Sequence, residues 1–342
     1  MDTILVTGGT GYIGSHTVVE LIEEGFPVVI ADNLSNSDLA VLDGIEKITG
    51  VRPAFEEIDI CDAGKLARLF DTGREIGAII HFAAFKAVGE SVEKPLMYYR
   101  NNMVSLMNLL EEMKAGKSAN LVFSSSCTVY GQPDTLPVTE SAPFKKAASP
   151  YGKTKQMSEE IIADVIFANP SLNAISLRYF NPIGAHPSGL IGEVPAGMPD
   201  NLVPFITQTA IGLRGELKVF GDDYNTPDGS CIRDYLHVAD LAKAHVAAVR
   251  RLLDRQNREA MEAFNLGTGK GVSVLEMIKT FEKVNKIKIN YSITGRRPGD
   301  IEQVWADTSL ANRELGWSAR SSLEETLESA WKWEKYYRNH NK

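Results

Sequence analysis

Thr3-Ile4-Leu5-Val6-Thr7-Gly8-Gly9-Thr10-Gly11-Tyr12-Ile13-Gly14 opens the chain and decides its fold. The first five residues are a short apolar, β-rich run, which predicts a buried strand. Residues 15–24 carry helical periodicity, so the glycines stand between a strand and a helix, the context that gives such a turn its meaning. Gly8 permits the tight turn, Gly11 lets backbone approach a pyrophosphate, and Gly14 lets helix and strand pack closely. The helix N-terminus offers unpaired N–H groups to phosphate oxygens. Asp32 ends the next strand, 27–31, about 20 residues beyond the glycines, where a carboxylate accepts from ribose hydroxyls and repels a 2′-phosphate. No arginine follows in Asn33-Leu34-Ser35-Asn36-Ser37, so NAD is favoured over NADP. Taken alone, Asp32 would read as a turn residue after a strand; behind this glycine turn that is the minority view.

Working outward, the alternation continues. Helices are predicted over 39–49, 64–71 and 95–114, and strands over 54–58, 78–82 and 120–124. Strands alternating with helices imply right-handed crossovers and a parallel sheet, an α/β, Rossmann-like doubly wound architecture. Ligands on such sheets sit beyond the carboxyl ends of strands. The residues there are Asp59 and Ile60, then Phe82-Ala83-Ala84-Phe85-Lys86, then Ser124-Ser125-Ser126. Ala83 and Ala84 are small enough for a flat cofactor to lie close, and His81 reads as a core histidine at a strand end. A strand is expected over 174–179. Beyond it the simple alternation fails, and 181–200, dense in Gly and Pro, reads as irregular loop. A helix over 201–213, a strand over 216–220, a helix over 238–253, a strand over 263–266 and a helix over 323–337 complete the expectation. The division expected is a dinucleotide-binding domain over 1–181 and a smaller mixed α/β substrate lobe over 182–342. The span 238–266 is a candidate to return to the first domain.

With 342 residues, 44% hydrophobic and 23% charged, the chain has the composition of an ordinary globular protein. A net charge of -8 argues against nucleic acid or an anionic membrane as partner. Three widely spaced cysteines, Cys61, Cys127 and Cys231, make neither a disulfide framework nor a zinc cluster, which points to a reducing compartment and to no metal. No apolar run reaches the ~18 residues of a membrane span. The first strand begins at once, leaving no room for a signal peptide, so a cytoplasmic protein is expected.

Ser149-Pro150-Tyr151-Gly152-Lys153-Thr154-Lys155 precedes a helical run over 156–168. At a spacing of four, Tyr151 and Lys155 share one helical face. A free tyrosine, with a pKa of about 10, is a poor base near neutrality. An adjacent ammonium favours the phenolate and moves the phenol toward general-base range. Tyr-x-x-x-Lys alone is common by chance, so its weight comes from its surroundings.

Those surroundings carry a family. The glycine turn with Ser15-His16, Ser124-Ser125-Ser126, Val129-Tyr130-Gly131, Tyr151-Gly152-Lys153-Thr154-Lys155 and Arg178-Tyr179-Phe180-Asn181 together resemble the extended short-chain dehydrogenases. Three further runs narrow this to the nucleotide-sugar 4-epimerases within them: His81-Phe82-Ala83-Ala84-Phe85-Lys86-Ala87-Val88-Gly89-Glu90-Ser91, Gly184-Ala185-His186-Pro187-Ser188-Gly189 and Arg233-Asp234-Tyr235-Leu236-His237-Val238. The similarity runs over 5–317. It implies reversible 4-epimerisation of UDP-glucose and UDP-galactose through a transient 4-keto sugar, with tightly bound NAD recycled each turnover, and a homodimer. In that scheme Tyr151, Lys155 and Ser126 are catalytic. By position, Tyr12, Ile13, Asp32, Asn33, Leu34, Ser35, Asn36, Ser37, Asp59, Ile60, Phe82 to Lys86, Asn101 and Phe180 line NAD. Lys86, Asn181, Asn201, Leu202, Phe220, Arg233, Tyr235, Arg297, Asp300 and Val304 hold the UDP-sugar. Arginine suits a diphosphate because its fork bonds two oxygens at once. Moving Tyr151 from about 10 to about 7 needs roughly 4 kcal/mol, which an ammonium at about 4 Å could supply at an effective dielectric of about 20.

Two departures from the family pattern stand out. Cys127 replaces the usual alanine beside Ser126 and reads as a packing change. Val304 stands where tyrosine is common, and a smaller residue there would widen the sugar pocket toward N-acetylated UDP-hexosamines. Two rival readings share the fold. A nucleotide-sugar 4,6-dehydratase needs an Asp-Glu pair where this chain has Cys127 and Thr128. A non-catalytic NAD-binding protein needs no Tyr/Lys pair.

Overall fold

Strand β1 (Thr3–Thr7) runs through the glycine turn into helix α1 (Tyr12–Glu23). The computed structural model describes residues 2–195, 197–199, 201–297 and 300–340. From β1 the chain continues through β2 (Val28–Asp32), α2 (Ala40–Thr49), β3 (Ala54–Glu57), α3 (Ala63–Phe70) and β4 (Ile76–His81). Then come α4 (Val88–Glu93), α5 (Pro95–Lys114), β5 (Asn120–Ser124), a single 3-10 turn Cys127–Tyr130, α6 (Pro150–Ala168) and β6 (Asn173–Tyr179). The second half holds β7 (Asn181–Ile183), α7 (Leu202–Ala210), β8 (Leu217–Phe220), β9 (Ile232–Arg233), β10 (Tyr235–His237), α8 (Val238–Leu253) and β11 (Met261–Leu266). It ends with β12 (Val272–Ser273), α9 (Val274–Asn285), β13 (Tyr291–Thr294), β14 (Gln303–Val304), α10 (Ser309–Glu314) and α11 (Leu323–His340).

Seven strands form one parallel sheet in the order β11-β6-β5-β4-β1-β2-β3. The order reverses beside β1, so the loops after β1 and β4 diverge there and leave the crevice in which such sheets hold ligands. Both faces are covered, which is why the strands read as nearly unbroken apolar runs. Alternation sends Ile4 and Val6 into one layer with Val18, Ile30 and Val249, while Leu5 enters the other with Leu66, Leu106 and Ile162. Each such side chain contributes roughly 1.5–3 kcal/mol when fully buried. A third cluster joins α7, α9 and α11 through Ile206, Met277, Phe281 and Leu327.

The structure departs from expectation mainly in the second half. The span 181–200 is not loop throughout: β7 lies at its start and pairs in parallel with β10; residues 196 and 200 of that span lie outside the described residues. The helix expected over 201–213 ends at Ala210, and α11 reaches His340 instead of residue 337. Helix α9 was not anticipated, although Ser273 caps it by accepting from Glu276 N at 3.0 Å, the Ser-x-x-Glu pattern of a helix start.

Candidate active site

At the reversal of the sheet order the two diverging loops touch. Gly8 has φ +71°, and a Cβ placed on it would lie 2.7 Å from Ala83 N. A Cβ on Gly14 would lie 2.2 Å from Gly8 O, so α1 can approach the turn only with glycine there. Gly11 precedes the first turn of α1 without a side-chain cap, which leaves the helix amides for a ligand. Asp32 ties this turn to the next loop. It accepts from Thr10 N at 3.2 Å, Leu34 N at 2.9 Å and Ser37 Oγ at 3.3 Å. Leu34 sits at φ +57°, Asn33 Oδ1 accepts from Ser35 N at 3.1 Å, and Asn33, Ser35 and Asn36 are exposed. These features fit a dinucleotide: glycine where backbone must come close, an uncapped helix start for phosphate, and a carboxylate with lone pairs to spare.

The loop after β4 is fixed by a residue the sequence reading did not single out. Asn102 accepts from Phe85 N at 2.9 Å and donates to Phe85 O and Thr154 Oγ1, both at 3.1 Å, so it joins that loop to α6. Asn101 beside it donates to Asn102 Oδ1 and accepts from Cys61 Sγ. Asp59 lies farther out, after β3, where it accepts from Cys61 N, and Ile60 is buried in the apolar layer. Lys86 lies over the Tyr12 ring, 5.9 Å from its centre, and pairs with Glu193 at 3.1 Å. Glu193 also accepts from Asn201 Nδ2 at 2.9 Å, so Lys86 and Asn201 meet at a carboxylate that no local motif marks. Tyr12 OH donates to Gly184 O at 2.7 Å.

Helix α6 begins at an N-cap, with Ser149 Oγ accepting from Gly152 N at 3.2 Å and Pro150 in the first turn. That start sets Tyr151 and Lys155 facing the end of β5. Lys155 Nζ donates to Ser124 O at 2.6 Å and lies 4.8 Å over the Phe123 ring. The Ser126 hydroxyl accepts from Thr128 N at 3.2 Å and faces the Tyr151 phenol. The expected lowering of the Tyr151 pKa is not seen. Burial raises it well above its ordinary value, nearby Tyr179 adds to this, and the Ser126 hydroxyl opposes. The reason is geometric: the ammonium is 5.9 Å from the Tyr151 ring centre and turned onto the Ser124 carbonyl. Burial also lowers Lys155 to about 8, against the pull of Glu159. His81 behaves as a core residue, bonded to Thr7 Oγ1 at 2.8 Å and lowered by burial to about 3.

The residues expected on the sugar side come together through the short strands. Asn181 pairs with Tyr235, and Val304 pairs with Arg233. Asp234, fully buried, accepts from Thr268 N, Thr268 Oγ1, Gly269 N and Ala306 N at 2.7–3.2 Å and so clamps three segments around Arg233. Val304 and Phe180 are buried in one apolar cluster with Val129 and Tyr130, and Cys127 packs against it. Burial pushes the Cys127 thiol up to about 12 despite the Arg233 charge, which suits packing better than reactivity. Tyr235 is likewise pushed up to about 12 by burial. Arg297 pairs with Asp300 at 2.7 Å and lies 5.4 Å from the Phe220 ring centre, and the Asp300 charge also acts on Tyr235. Leu202 opens α7 and packs into the third apolar cluster.

The model of the family described as GDP-mannose 4,6 dehydratase matches residues 5–330. A UDP-glucose 4-epimerase of Dictyostelium discoideum is 50% identical over 97% of this chain and 96% of its own. The crystal structure of a UDP-glucose 4-epimerase from Stenotrophomonas maltophila, with bound NAD and formylated UDP-arabinopyranose, is 47% identical and covers 99% of both chains at a TM-score of 0.95. That of the Bifidobacterium longum UDP-glucose 4-epimerase, in complex with NAD+ and UDP, is 46% identical, covers 98% of this chain and 99% of that one, and has a TM-score of 0.93. With a shared sheet order, a glycine turn at its reversal and a Tyr/Lys/Ser cluster beyond β5, the chain belongs to the extended short-chain dehydrogenase family, in its UDP-glucose 4-epimerase branch.

Proposed function

We propose that the protein interconverts UDP-glucose and UDP-galactose by reversible oxidation at C4′, keeping NAD bound between turnovers. The observation that carries this reading is the buried Tyr151 phenol on the same face of α6 as Lys155, whose ammonium is held on the end of β5 two residues before Ser126. The residues for NAD are the glycine turn, Tyr12, Ile13, Asp32 to Ser37, Asp59, Ile60, Phe82 to Lys86, Asn101 and Phe180. When bound, NAD⁺ supplies a reversible hydride acceptor and a positive charge. Tyr151, as phenolate, takes the proton of the sugar 4′-hydroxyl and later returns it, while the Ser126 hydroxyl orients that oxygen. Lys155 holds the end of β5 through the Ser124 carbonyl and keeps a positive charge on the same helical face as the phenol. Burial of both groups excludes water from the proton transfer. Asn181, Asn201, Leu202, Phe220, Arg233, Tyr235, Arg297 and Asp300 are assigned to the UDP-sugar, the arginines to its diphosphate. On a 4,6-dehydratase reading, Cys127 and Thr128 would have to supply an acid and a base, and a thiol pushed up to about 12 cannot be that base near neutrality. Replacing Tyr151 with Phe should abolish turnover while leaving NAD bound; full turnover in that variant would overturn the assignment.

Three finer points belong to the same proposal. Val304, small and buried at the sugar wall, leaves room for N-acetylated UDP-hexosamines. Absence of turnover with UDP-N-acetylgalactosamine, under conditions where UDP-galactose reacts, would exclude this. Leu96 near the start of α5 and Phe167 near the end of α6 are 77% and 91% exposed, and these two packed helices are the surface proposed for a second copy of the chain; light scattering at monomer mass would refute it. The lobes divide near residue 181, with 238–266 serving the first through the pairing of β11 with β6. Among the described residues no helix is long and apolar enough to cross a membrane, and a cytoplasmic place is proposed on the cysteine usage.

A further inference from the structure

Behind the Tyr/Lys/Ser cluster lies a buried ion pair that the assignments above leave unused. Glu159 stands one helical turn beyond Lys155 on α6, and Arg178 stands on β6; their side chains are 4% and 9% exposed. The pair is forked, with Arg178 Nε donating to Oε1 at 3.0 Å and Nη2 donating to Oε2 at 2.6 Å. Two sets of contacts extend from it. Toward the site, Ser125 Oγ donates to Glu159 Oε1 at 2.5 Å. Ser125 separates Ser124, whose carbonyl takes the Lys155 ammonium, from Ser126, whose hydroxyl faces Tyr151. In the other direction Arg178 Nη1 donates to Tyr130 OH at 3.0 Å, Tyr130 OH donates to Asn265 Oδ1 at 2.6 Å, and Asn265 Nδ2 donates to Val138 O at 2.9 Å. Val138 in turn donates to Trp305 O at 2.9 Å and accepts from Asp307 N at 2.8 Å, in the segment that follows Val304.

We propose that Glu159 and Arg178 form a positioning pair, which through Ser125 sets the turn 124–126 against α6 and registers it with the segment after Val304. The pair touches neither substrate nor cofactor and acts only through the serines. Past β5, Ser125 N donates to Leu177 O at 3.0 Å, and the Ser125 hydroxyl ties the same residue to α6 through Glu159. A shift of that turn moves the Lys155 acceptor and the Ser126 hydroxyl together, and misplacement by about 1 Å can cost on the order of 100-fold in rate. The groups facing this region are few. Lys155 is faced by Glu159 from α6 and His81 from β4, and Tyr151 by Tyr179, Cys127 and Tyr98 from three other elements. Glu159 is faced by Arg178, with Tyr130 and, from the loop before α6, Glu140 beyond it.

The inference rests on the proposed epimerase activity, and the test separates the two. Ser125→Ala removes one hydroxyl and leaves the charge pair whole. Its kcat for UDP-galactose should fall by about tenfold or more, with KM and NAD content unchanged. Because the turn carries both the Lys155 acceptor and Ser126, the hydroxyl that opposes the upward shift of Tyr151, the acid limb of the kcat profile should move to higher pH. Arg178→Lys, which keeps the charge and loses the fork, should give the same pattern. Should either folded variant match the parent in kcat and pH profile, or lose activity only in proportion to lost NAD, the positioning role is overturned. An inactive parent would instead overturn the epimerase reading.

Discussion

Lys155 does more at the site than neutralise a phenolate at close range. Its Nζ is spent on the Ser124 carbonyl at 2.6 Å, so its first task is to hold the end of β5. Replacing it with Met should lower kcat by about 100-fold or more, the scale of lost acid–base assistance, and loosen NAD as well; a variant within twofold of the parent would contradict this. In cofactor-free protein the amine, lowered to about 8 by burial, should lose its charge as pH rises through that value. A ¹⁵N titration of the lysine side chains that finds this amine protonated beyond pH 10 would disprove it. At this scale the sequence exposes Tyr151, Lys155, Ser126 and Asp32, because each sits in a local pattern with a chemical reason. It hides Asn102, Glu193, Asp234 and Glu159, because what singles them out is a partner distant in sequence: Thr154, Lys86, Ala306 and Ser125.

Helix starts carry the site. The Ser149 cap fixes the first turn of α6, which bears Tyr151, and Ser149→Ala should cost about 1 kcal/mol of stability with a loss in kcat larger than any change in KM. Equal stability by denaturant unfolding would refute the cap's role. In α1 the decisive residue is Gly14. Its Cβ would fall 2.2 Å from Gly8 O, which is backbone and cannot give way cheaply, so Gly14→Ala should destabilise the fold by about 1–3 kcal/mol and release NAD. A variant that copurifies with full NAD would contradict the close packing of turn and helix. Elements with one dominant local signal were legible from sequence, among them β1, α1, α5 and α8. Strand β7 was not, since Asn181-Pro182-Ile183 is short, contains proline and finds its partner only at β10. Helix α9 had its Ser-x-x-Glu start in plain view, and its apolar residues face the lobe core through Met277, Ile278 and Phe281.

For the whole molecule, buried neutral histidines tie stability to pH. Burial lowers His16 and His81 to about 3 and His245 to about 4, each from an unfolded value of about 6.5. The unfolded chain therefore binds more protons across that interval, and folding stability contributed by these groups is full above about pH 6.5 and drains away as pH falls. Glu20, raised by burial to about 7, acts in the opposite sense, as do Glu140 and Asp234, but burial also lowers His186 and His237, so five histidines stand against three carboxyl groups. The thermal midpoint should accordingly drop between pH 7 and pH 5, and a flat or rising midpoint would count against these burial assignments. The parallel, doubly wound sheet was legible because alternating strands and helices leave few ways to wind. The arrangement of the short strands around Asp234 was not, since two- and three-residue strands leave no periodicity to read. The most direct test is to give the purified protein UDP-galactose without added NAD and follow both UDP-glucose and the absorbance of reduced cofactor. Formation of UDP-glucose with no accumulating reduced cofactor is expected; no conversion, or stoichiometric release of NADH, would contradict a resident dinucleotide that removes and restores hydrogen at one sugar carbon.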